Sequence, residues 1–318
     1  MLLVLTNSED QTADYLCRRL RAAGSDLLRL DSDSLTESVT IEYAGGEPVL
    51  KCGPHRLKPN DVANVWLRRP KALRAASGSD EAETRHTAAE WSEALEGFLA
   101  HIPIEHWMNH PAHNVIASHK LEQLTRARAH GLTVPETLVT QSPEHLREFW
   151  DRCDGAVVVK PLAAGFLERE EPSKDTHIYT NAVELHHLLG VDTLPVCPTL
   201  FQRRIEKLAD VRVCIVDEAF HAVTLTAEEA GGGQRLDIRR DNMHDVRYEN
   251  VEAPRPIREA LLRLARSYGL RFAAIDLAII PSGEWVFFEV NPNGQWAWLD
   301  LVGASDIAAS FIHSFQRQ

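Results

Sequence analysis

The sequence predicts a mixed α/β protein of two or three domains. At 318 residues the chain is about twice the length of a typical domain of ~150 residues. Short apolar runs alternate with an amphipathic helix in its first part, and two long apolar runs near its end flank a turn sequence. Hydrophobic residues make up 44% of the chain and charged residues 25%, as in ordinary globular proteins.

The amino-terminal region has the pattern of a small α/β unit. Leu2 to Leu5 is predicted to be a strand, and helical spacing of apolar residues from Thr12 to Ala23 ends before Gly24, a common helix stop. The other predicted strands of this region cover residues 27–30, 39–43, 48–52 and 62–67. No Gly-x-Gly-x-x-Gly follows the first strand, so the dinucleotide-binding fingerprint is missing.

Helices and strands alternate in the rest of the chain. Predicted helical segments cover residues 80–108, 118–130, 144–150 and 256–268, and a short helix is predicted at the carboxyl end. Predicted strands cover residues 134–139, 155–160, 200–205, 211–216, 220–226, 273–280 and 285–291.

Charge and hydropathy exclude several classes of protein. The formal net charge of −12 argues against a general nucleic-acid binder, since phosphate neutralisation needs a basic surface. The apolar runs, such as Phe272 to Pro281, fall short of the ~20 residues of a membrane span. No basic flank marks a signal peptide at the amino terminus. The five cysteines are scattered and form no Cys-x-x-Cys, so we expect thiols in a reducing compartment, the cytoplasm.

The most informative segment is a hairpin near the carboxyl end. If Ser282-Gly283 is its two-residue loop, Asp276 faces Glu289, and Asn291 lies on the same side because strand side chains alternate. The other side is apolar, with the predicted pairs Ile275–Val290, Leu277–Phe288 and Ile279–Val286.

Directly opposed carboxylates repel each other, so a cation between Asp276 and Glu289 would stabilise the pair. Together with the Asn291 amide oxygen they form an oxygen donor set suited to Mg²⁺. The alternative is that both carboxylates are solvated on an exposed sheet face.

Basic residues offer further candidates. Lys160 ends a Val-Val-Val run, where a buried ammonium needs an anionic partner; a phosphate and a salt bridge both fit. Lys120 lies in the first turn of a predicted helix. Arg68-Arg69 fits either structural ion pairs or contacts with a peptide.

The order of these motifs resembles the ATP-grasp superfamily over residues 105–318, and within it the microviridin-type ligases, or graspetide synthetases. The narrower resemblance lies in Val65–Pro70, Asn109–Leu124, Gly131–Thr137 and Phe288–Trp298. It implies an ATP-grasp fold in three parts. These are an N-terminal α/β domain (residues 1–112), a central lid subdomain (113–201) and a C-terminal ATP-grasp domain (202–318).

The resemblance also implies roles for individual residues. The expected nucleotide-binding residues are Lys120, Lys160, Gln202, Arg203, Arg204, Ile205 and Asp210. In the family pattern the lysines contact the phosphates and the adenine edge, the segment 202–205 is the hinge that binds adenine through its backbone, and the aspartate holds the ribose.

The same pattern implies the metal and catalytic groups. Asp276, Glu289 and Asn291 are the expected Mg²⁺ ligands, and Arg212 and Arg239 the expected catalytic residues. Arg239 corresponds to the arginine of an Asp-Trp-Arg motif that faces the γ-phosphate. Here the motif reads Asp237-Ile238-Arg239, without the tryptophan.

The implied activity uses ATP and Mg²⁺ to join side-chain carboxylates of a ribosomal precursor peptide to its own Ser, Thr or Lys side chains. The expected partner is that peptide, a leader plus an acidic core containing Ser, Thr or Lys; neither nucleic acid nor membrane is expected, and a homodimer is left open. Two alternatives use the same fold: a ligase that adds an amino acid or glutamate to a peptide or protein terminus, and an inactive protein that binds peptide.

Overall fold

The computed structural model describes residues 1–73, 80–163, 165–167, 176–190, 194, 196–229, 232–240 and 243–317. Its secondary structure forms five sheets; a three-stranded parallel sheet, a four-stranded sheet and a five-stranded sheet position the site. Across these residues, none of the helices combines the length and the apolar character that a membrane span requires.

The amino-terminal region contains a three-stranded parallel sheet in the order β2-β1-β6. Its strands are β1 (Leu2–Thr6), β2 (Leu27–Asp31) and β6 (Asn64–Leu67). Helix α1 (Gln11–Ala22) connects β1 and β2, and the Asp10 side chain caps its first turn by accepting from two backbone N–H groups. A short helix and a separate antiparallel sheet lie between β2 and β6: α2 (Leu35–Ser38), β3 (Val39–Glu42), β4 (Val49–Cys52) and β5 (His55–Leu57).

The connection to the central region is helical. The segment predicted as helical over 80–108 is α3 (Glu81–Leu99), which stops short of Pro103 because proline disfavours helix in the preceding residue. Helix α4 (Pro111–Ala117) was not predicted; His110 caps it, and proline occupies its first position. Helix α5 (Lys120–Ala129) begins two residues later than predicted.

The central sheet has four antiparallel strands in the order β11-β8-β12-β7. They are β7 (Thr137–Thr140), β8 (Val157–Lys160), β11 (Asn181–Ala182) and β12 (Thr199–Arg203). Helices α6 (Pro143–Arg152) and α7 (Leu185–Leu188) contribute Phe149 and Leu188 to a small core with this sheet, and β9 (Phe166–Leu167) pairs with β10 (Thr176–His177).

The carboxyl-terminal sheet has five antiparallel strands in the order β15-β14-β13-β16-β17. They are β13 (Ala209–Val216), β14 (Ala219–Thr226), β15 (Arg247–Asn250), β16 (Phe272–Ile279) and β17 (Trp285–Asn291). Helix α8 (Arg255–Ser267) shares one core cluster with this sheet. A second cluster joins the sheet to α9 (Ala297–Leu301), α10 (Ile307–Gln316) and α1, so the first and last parts of the chain share a core.

The β16–β17 register matches the prediction at the carboxylates and at the pair next to them, but not closer to the turn. Ile275 pairs with Val290, and Asp276 pairs with Glu289, as predicted. The other two predicted pairs are wrong: the observed pairs are Leu277–Phe287 and Ile279–Trp285.

A β-bulge at Phe288 causes the difference. This extra residue has no partner on β16, so every pair beyond it moves by one. The connection is also longer than the predicted two residues, because the Gly283 N–H donates to the Ile280 carbonyl (2.8 Å) and Gly283 adopts φ +83°. The division into residues 1–112, 113–201 and 202–318 stays a prediction, and strand β12 crosses its second boundary.

Candidate nucleotide and metal site

A cleft of about 670 Å³ lies between the four-stranded and the five-stranded sheets. Every site residue predicted from the sequence lines this cleft, except Arg204. Arg204 instead lines a neighbouring cavity of about 1020 Å³ on the far side of Ile205 and Lys207.

Three charged side chains form a row across the floor of the cleft. Arg212 on β13 pairs with Asp276 on β16, which pairs with Glu289 on β17. The Arg212 Nε lies 3.0 Å from the Asp276 carboxylate. The Glu289 carboxylate lies 3.5 Å from the Nζ of Lys120, at the start of α5. Each carboxylate therefore has a basic neighbour on the side away from the other.

The electrostatics of this row favour a bound cation. Burial raises the pKa of Asp276, Arg212 lowers it, and Glu289 raises it again. A cation between the carboxylates would oppose both effects that raise the pKa. Asn291 is two residues beyond Glu289 and also lines the cleft; its Oδ1 accepts from the Asn293 N–H at 3.0 Å and keeps a second lone pair.

The donor set of two carboxylates and an amide oxygen fits Mg²⁺, which usually keeps several waters and binds one or two carboxylates plus substrate phosphates. In the part of the chain that the structure describes, no three His, Cys, Asp or Glu side chains cluster as a complete metal site. Phosphate oxygens would supply the ligands that the protein does not.

Two lysines lie on the opposite wall of the cleft. Lys160 is the last residue of β8, and its Nζ lies 4.4 Å from the centre of the Phe288 ring, a cation–π contact. The β-bulge brings this ring into the cleft. The cleft walls enclose the ammonium, and burial lowers the pKa of Lys160 to about 8, against the opposing effect of Glu289. Lys120 donates to the Pro161 carbonyl at 2.7 Å, which holds it beside Lys160.

The predicted hinge, residues 202–205, spans the end of β12 and the two residues after it. The backbone N–H groups of Arg203 and Arg204 donate to the carbonyls of Glu136 (2.9 Å) and Ala156 (2.7 Å). No hydrogen bond of the Ile205 N–H exists within the described residues, so this donor is available to an adenine ring. The Arg203 guanidinium pairs with the Glu136 carboxylate at 3.3 Å.

Asp210 lies at the start of β13 in a network of its own. Lys207 Nζ donates to both of its oxygens (2.6 and 2.7 Å), and Gln234 Nε2 donates to one at 2.9 Å. Burial raises the pKa of Asp210, and Lys207 acts against this. The ribose contact expected for Asp210 stays a prediction.

Arg239 is held by Asp237 of the same loop. Its Nε and Nη2 donate to the two carboxylate oxygens at 2.9 and 2.7 Å. Burial would raise the pKa of Asp237, but hydrogen bonds from Arg239 and from the Thr180 N–H lower it to about 2. Ile238, in the place of the family's tryptophan, packs against an apolar cluster that includes Leu225.

Sequence reasoning missed several cleft residues. Lys207 lies three residues before Asp210, which is only a weak sequence signal. Its ion pair with Asp210 depends on how the chain turns between the two residues. Phe288 was assigned to the apolar face, and only a bulge moves it. Arg69 also lines the cleft; the sequence left Arg68-Arg69 open between structural ion pairs and peptide contacts, and it did not place Arg69 beside the predicted metal ligands.

Comparisons with known proteins identify similar chains and folds. Residues 1–115 match the model of the MvdD pre-ATP grasp domain. A sequence search of curated proteins finds no match. Among solved structures, the macrocyclase MdnC of Microcystis aeruginosa MRC, solved with its precursor peptide MdnA, is similar with a TM-score of 0.84 and 26% identity over 98% of both chains.

Two further structures extend the comparison. The macrocyclase MdnB of the same organism has a TM-score of 0.78 and 27% identity over 100% of this chain and 99% of its own. An ATP-grasp ligase of Chryseobacterium gregarium, solved with ADP and a leader and core peptide, has a TM-score of 0.82 and 23% identity over 99% and 96% of the two chains. The predicted ATP-grasp fold and the resemblance to microviridin-type ligases are confirmed.

Proposed function

We propose that this ATP-grasp chain is a peptide macrocyclase. It joins Asp or Glu carboxylates of a ribosomal precursor peptide to Ser, Thr or Lys side chains of the same peptide, with ATP as the energy source. The observation that carries the proposal is the charged row Arg212–Asp276–Glu289 facing Lys120 and Lys160 across one cleft. The fold around this cleft matches that of MdnC along nearly the whole chain.

We assign each part of the nucleotide to different residues of the cleft. The Ile205 N–H is the free donor for the adenine edge, and Asp210 is placed for ribose hydroxyls. Lys160 and Lys120 supply positive charge for the phosphates. We assign Asp276, Glu289 and Asn291 as the Mg²⁺ ligands; a bound Mg²⁺ neutralises phosphate charge and orients the transferred group.

The reaction has two steps. A carboxylate oxygen of the peptide bonds to the γ-phosphorus while the bond between this phosphorus and the β–γ bridging oxygen breaks, which gives an acylphosphate and ADP. A hydroxyl or amine of the same peptide then attacks the acyl carbon, and inorganic phosphate leaves as the attacking group loses its proton. Arg239 and Arg212 stabilise the negative charge that develops on the phosphoryl oxygens.

The arginines are oriented before substrate binds. Asp237 fixes Arg239 through two hydrogen bonds, and Asp276 fixes Arg212. This preorganisation lowers the cost of aligning both cations with the transferred phosphate. No enzyme nucleophile takes part, because the peptide supplies both the carboxylate and the group that attacks it. We also propose a cytoplasmic location, where the cysteines of the described residues remain free thiols.

Nucleotide products test this proposal. The protein is incubated with ATP, Mg²⁺ and the peptide encoded by the small open reading frame beside its gene, and the products are separated by chromatography. We expect peptide-dependent formation of ADP and phosphate, unaffected by added free glutamate. Formation of AMP and pyrophosphate would contradict acylphosphate chemistry, and a requirement for free glutamate would favour a terminal amino-acid ligase.

A further inference from the structure

Arg69, which follows the last strand of the amino-terminal sheet, lines the cleft. Arg68 and Arg69 follow β6 directly, and the Arg68 N–H extends the sheet by donating to the Leu5 carbonyl at 2.8 Å. The Asn7 side chain donates to the Arg69 carbonyl at 2.6 Å. These contacts fix the backbone at the point where the chain leaves the sheet and enters the cleft wall.

The two arginines are anchored to the loop that follows the metal site. The fully buried Arg68 guanidinium and the Arg69 Nε both donate to the Asn293 carbonyl, Arg69 at 3.2 Å. Arg68 also lies 3.8 Å from the buried Asp10 carboxylate. Asn293 is two residues beyond the metal-site residue Asn291. The amino-terminal sheet therefore sets the position of the Arg69 side chain relative to the predicted metal ligands.

Arg69 differs from the other arginines of the cleft in its partners. Arg203 pairs with Glu136, Arg212 with Asp276, and Arg239 with Asp237, as described above. Arg69 has no carboxylate partner within the residues that the structure describes. Its side chain is exposed and lines the same cleft as Asp276, Glu289 and Asn291.

The surroundings of Arg69 favour an anion. Although the side chain reaches solvent, partial desolvation of its guanidinium lowers its pKa, nearby Asp10 raises it, and Arg212 lowers it further. An arginine stays protonated in such a site, so Arg69 and Arg212 repel each other across the cleft wall. An anion held between them would remove this repulsion, and the planar guanidinium is well suited to a carboxylate through two parallel hydrogen bonds.

We propose that Arg69 binds the peptide carboxylate that attacks the γ-phosphorus, an assignment that rests on the macrocyclase function proposed above. The attacking carboxylate and the triphosphate are both anions and must come within bonding distance. The lysines and the metal ligands serve the nucleotide, so a cation committed to no protein carboxylate is needed for the substrate. Arg69 is a substrate-binding residue that the amino-terminal domain contributes to a site built by the other two.

The test replaces Arg69 and measures peptide and nucleotide separately. The variants are Arg69→Met, which removes the charge, and Arg69→Lys, which keeps the charge but loses the planar fork. Lys71→Met is the matched control: this neighbouring lysine pairs with Glu9 outside the cleft. All three are assayed with ATP and the peptide encoded beside the gene, and ADP affinity is measured by calorimetry.

We expect Arg69→Met to lower kcat/KM for the peptide about 10- to 100-fold, the scale of one lost charge-assisted hydrogen bond. Its ADP affinity should stay within about twofold of wild type, which also shows that the cleft is folded. The kcat/KM of Arg69→Lys for the peptide should lie between those of wild type and Arg69→Met, and that of Lys71→Met should match wild type. Crosslinking by Arg69→Met at the wild-type rate and KM would overturn the assignment, as would a loss confined to ADP affinity. Failure of the wild-type protein to crosslink the peptide would overturn the proposed function itself.

Discussion

Asp276 and Glu289 lie opposite each other on adjacent antiparallel strands, and each also contacts a cation, Arg212 for the first and Lys120 for the second. Arg212 stands next to Asp276 in the strand register, whereas Lys120 reaches Glu289 from a helix end. The carboxylate pair thus lies between two basic groups from different parts of the chain. The two basic groups reduce the repulsion between the Asp276 and Glu289 carboxylates when no metal is bound. Both carboxylates line the cleft, where a nucleotide-bound cation could contact them.

Glu289→Gln should abolish ATP turnover while the fold survives, because the neutral amide lacks the negative charge with which the carboxylate would hold Mg²⁺. The free energy of unfolding should be unchanged or higher, since one member of a repelling pair is neutralised. Glu249→Gln, an exposed position on β15, is the matched control and should keep wild-type turnover. The checks are ADP release and urea unfolding followed by circular dichroism. Wild-type turnover in Glu289→Gln would remove this residue from the metal site.

Lys160→Met should weaken ATP binding by on the order of 2–4 kcal/mol, the scale for losing a buried charge-assisted contact. The ammonium is enclosed by the cleft and has the Phe288 ring as a neighbour. Calorimetric titration with ATP measures the change, and Lys160→Arg, which keeps the charge, should bind more tightly than Lys160→Met. Equal affinities for wild type and Lys160→Met would return Lys160 to a purely structural role.

ATP affinity should also fall as pH rises through about 8, the pKa to which burial lowers Lys160. The nucleotide phosphates favour the charged ammonium, so nucleotide binding raises the pKa of Lys160. At a pH above the pKa of the nucleotide-free protein, Lys160 must take up a proton when the nucleotide binds, and this lowers the affinity. Titrations between about pH 7.5 and 9.5 should show a decline of up to about tenfold per pH unit in wild type. Lys160→Arg should show a much flatter profile. A wild-type profile as flat as that of Lys160→Arg would contradict the assignment.

Gly294→Ala should destabilise the fold and the site together. A Cβ at this position would overlap the Cβ of Ala274 and lie 3.3 Å from the Arg212 guanidinium. Overpacking of this kind costs about 1–3 kcal/mol, and the shift should lower ATP turnover by moving Arg212. Gly97→Ala, in helix α3 where the added Cβ meets nothing within 4 Å, should be neutral or stabilising. Equal unfolding midpoints for wild type and Gly294→Ala would show that the loop relaxes without cost.

The predicted carboxylate pair is correct although the predicted turn is wrong: the connection is longer than two residues, and the extra residue of the bulge at Phe288 restores the predicted register at Asp276 and Glu289. The predicted register fails from Leu277 onward, since Phe287 and Phe288 are both apolar and nothing in the pattern distinguishes a bulge from a continuous strand. The helix Pro111–Ala117 was also missed. Its start signal, a proline after His110, is present in the sequence, but the helix is only seven residues long.

Distant contacts that position the cleft residues could not be predicted from local patterns. Arg69 follows the amino-terminal strand β6, and its Nε donates to the distant Asn293 carbonyl. Asp237 was noted as sharing a face with Arg239, but its two hydrogen bonds to that guanidinium depend on loop geometry. Motif order therefore predicted candidate nucleotide-binding residues, all but Arg204 of which line one cleft, while the contacts that hold them in position required the structure.

The mass of the peptide product tests the central claim most directly. The protein is incubated with ATP, Mg²⁺ and the peptide encoded beside its gene, with and without added free glutamate, and the peptide is analysed by mass spectrometry. We expect a loss of one water for each crosslink, about 18 Da, with one ADP formed per bond because each acylphosphate consumes one γ-phosphoryl group. Fragmentation should place both linked side chains within the one peptide, and added glutamate should change nothing. A gain in mass equal to an added amino acid, or an unchanged peptide mass while ATP is hydrolysed, would contradict macrocyclisation.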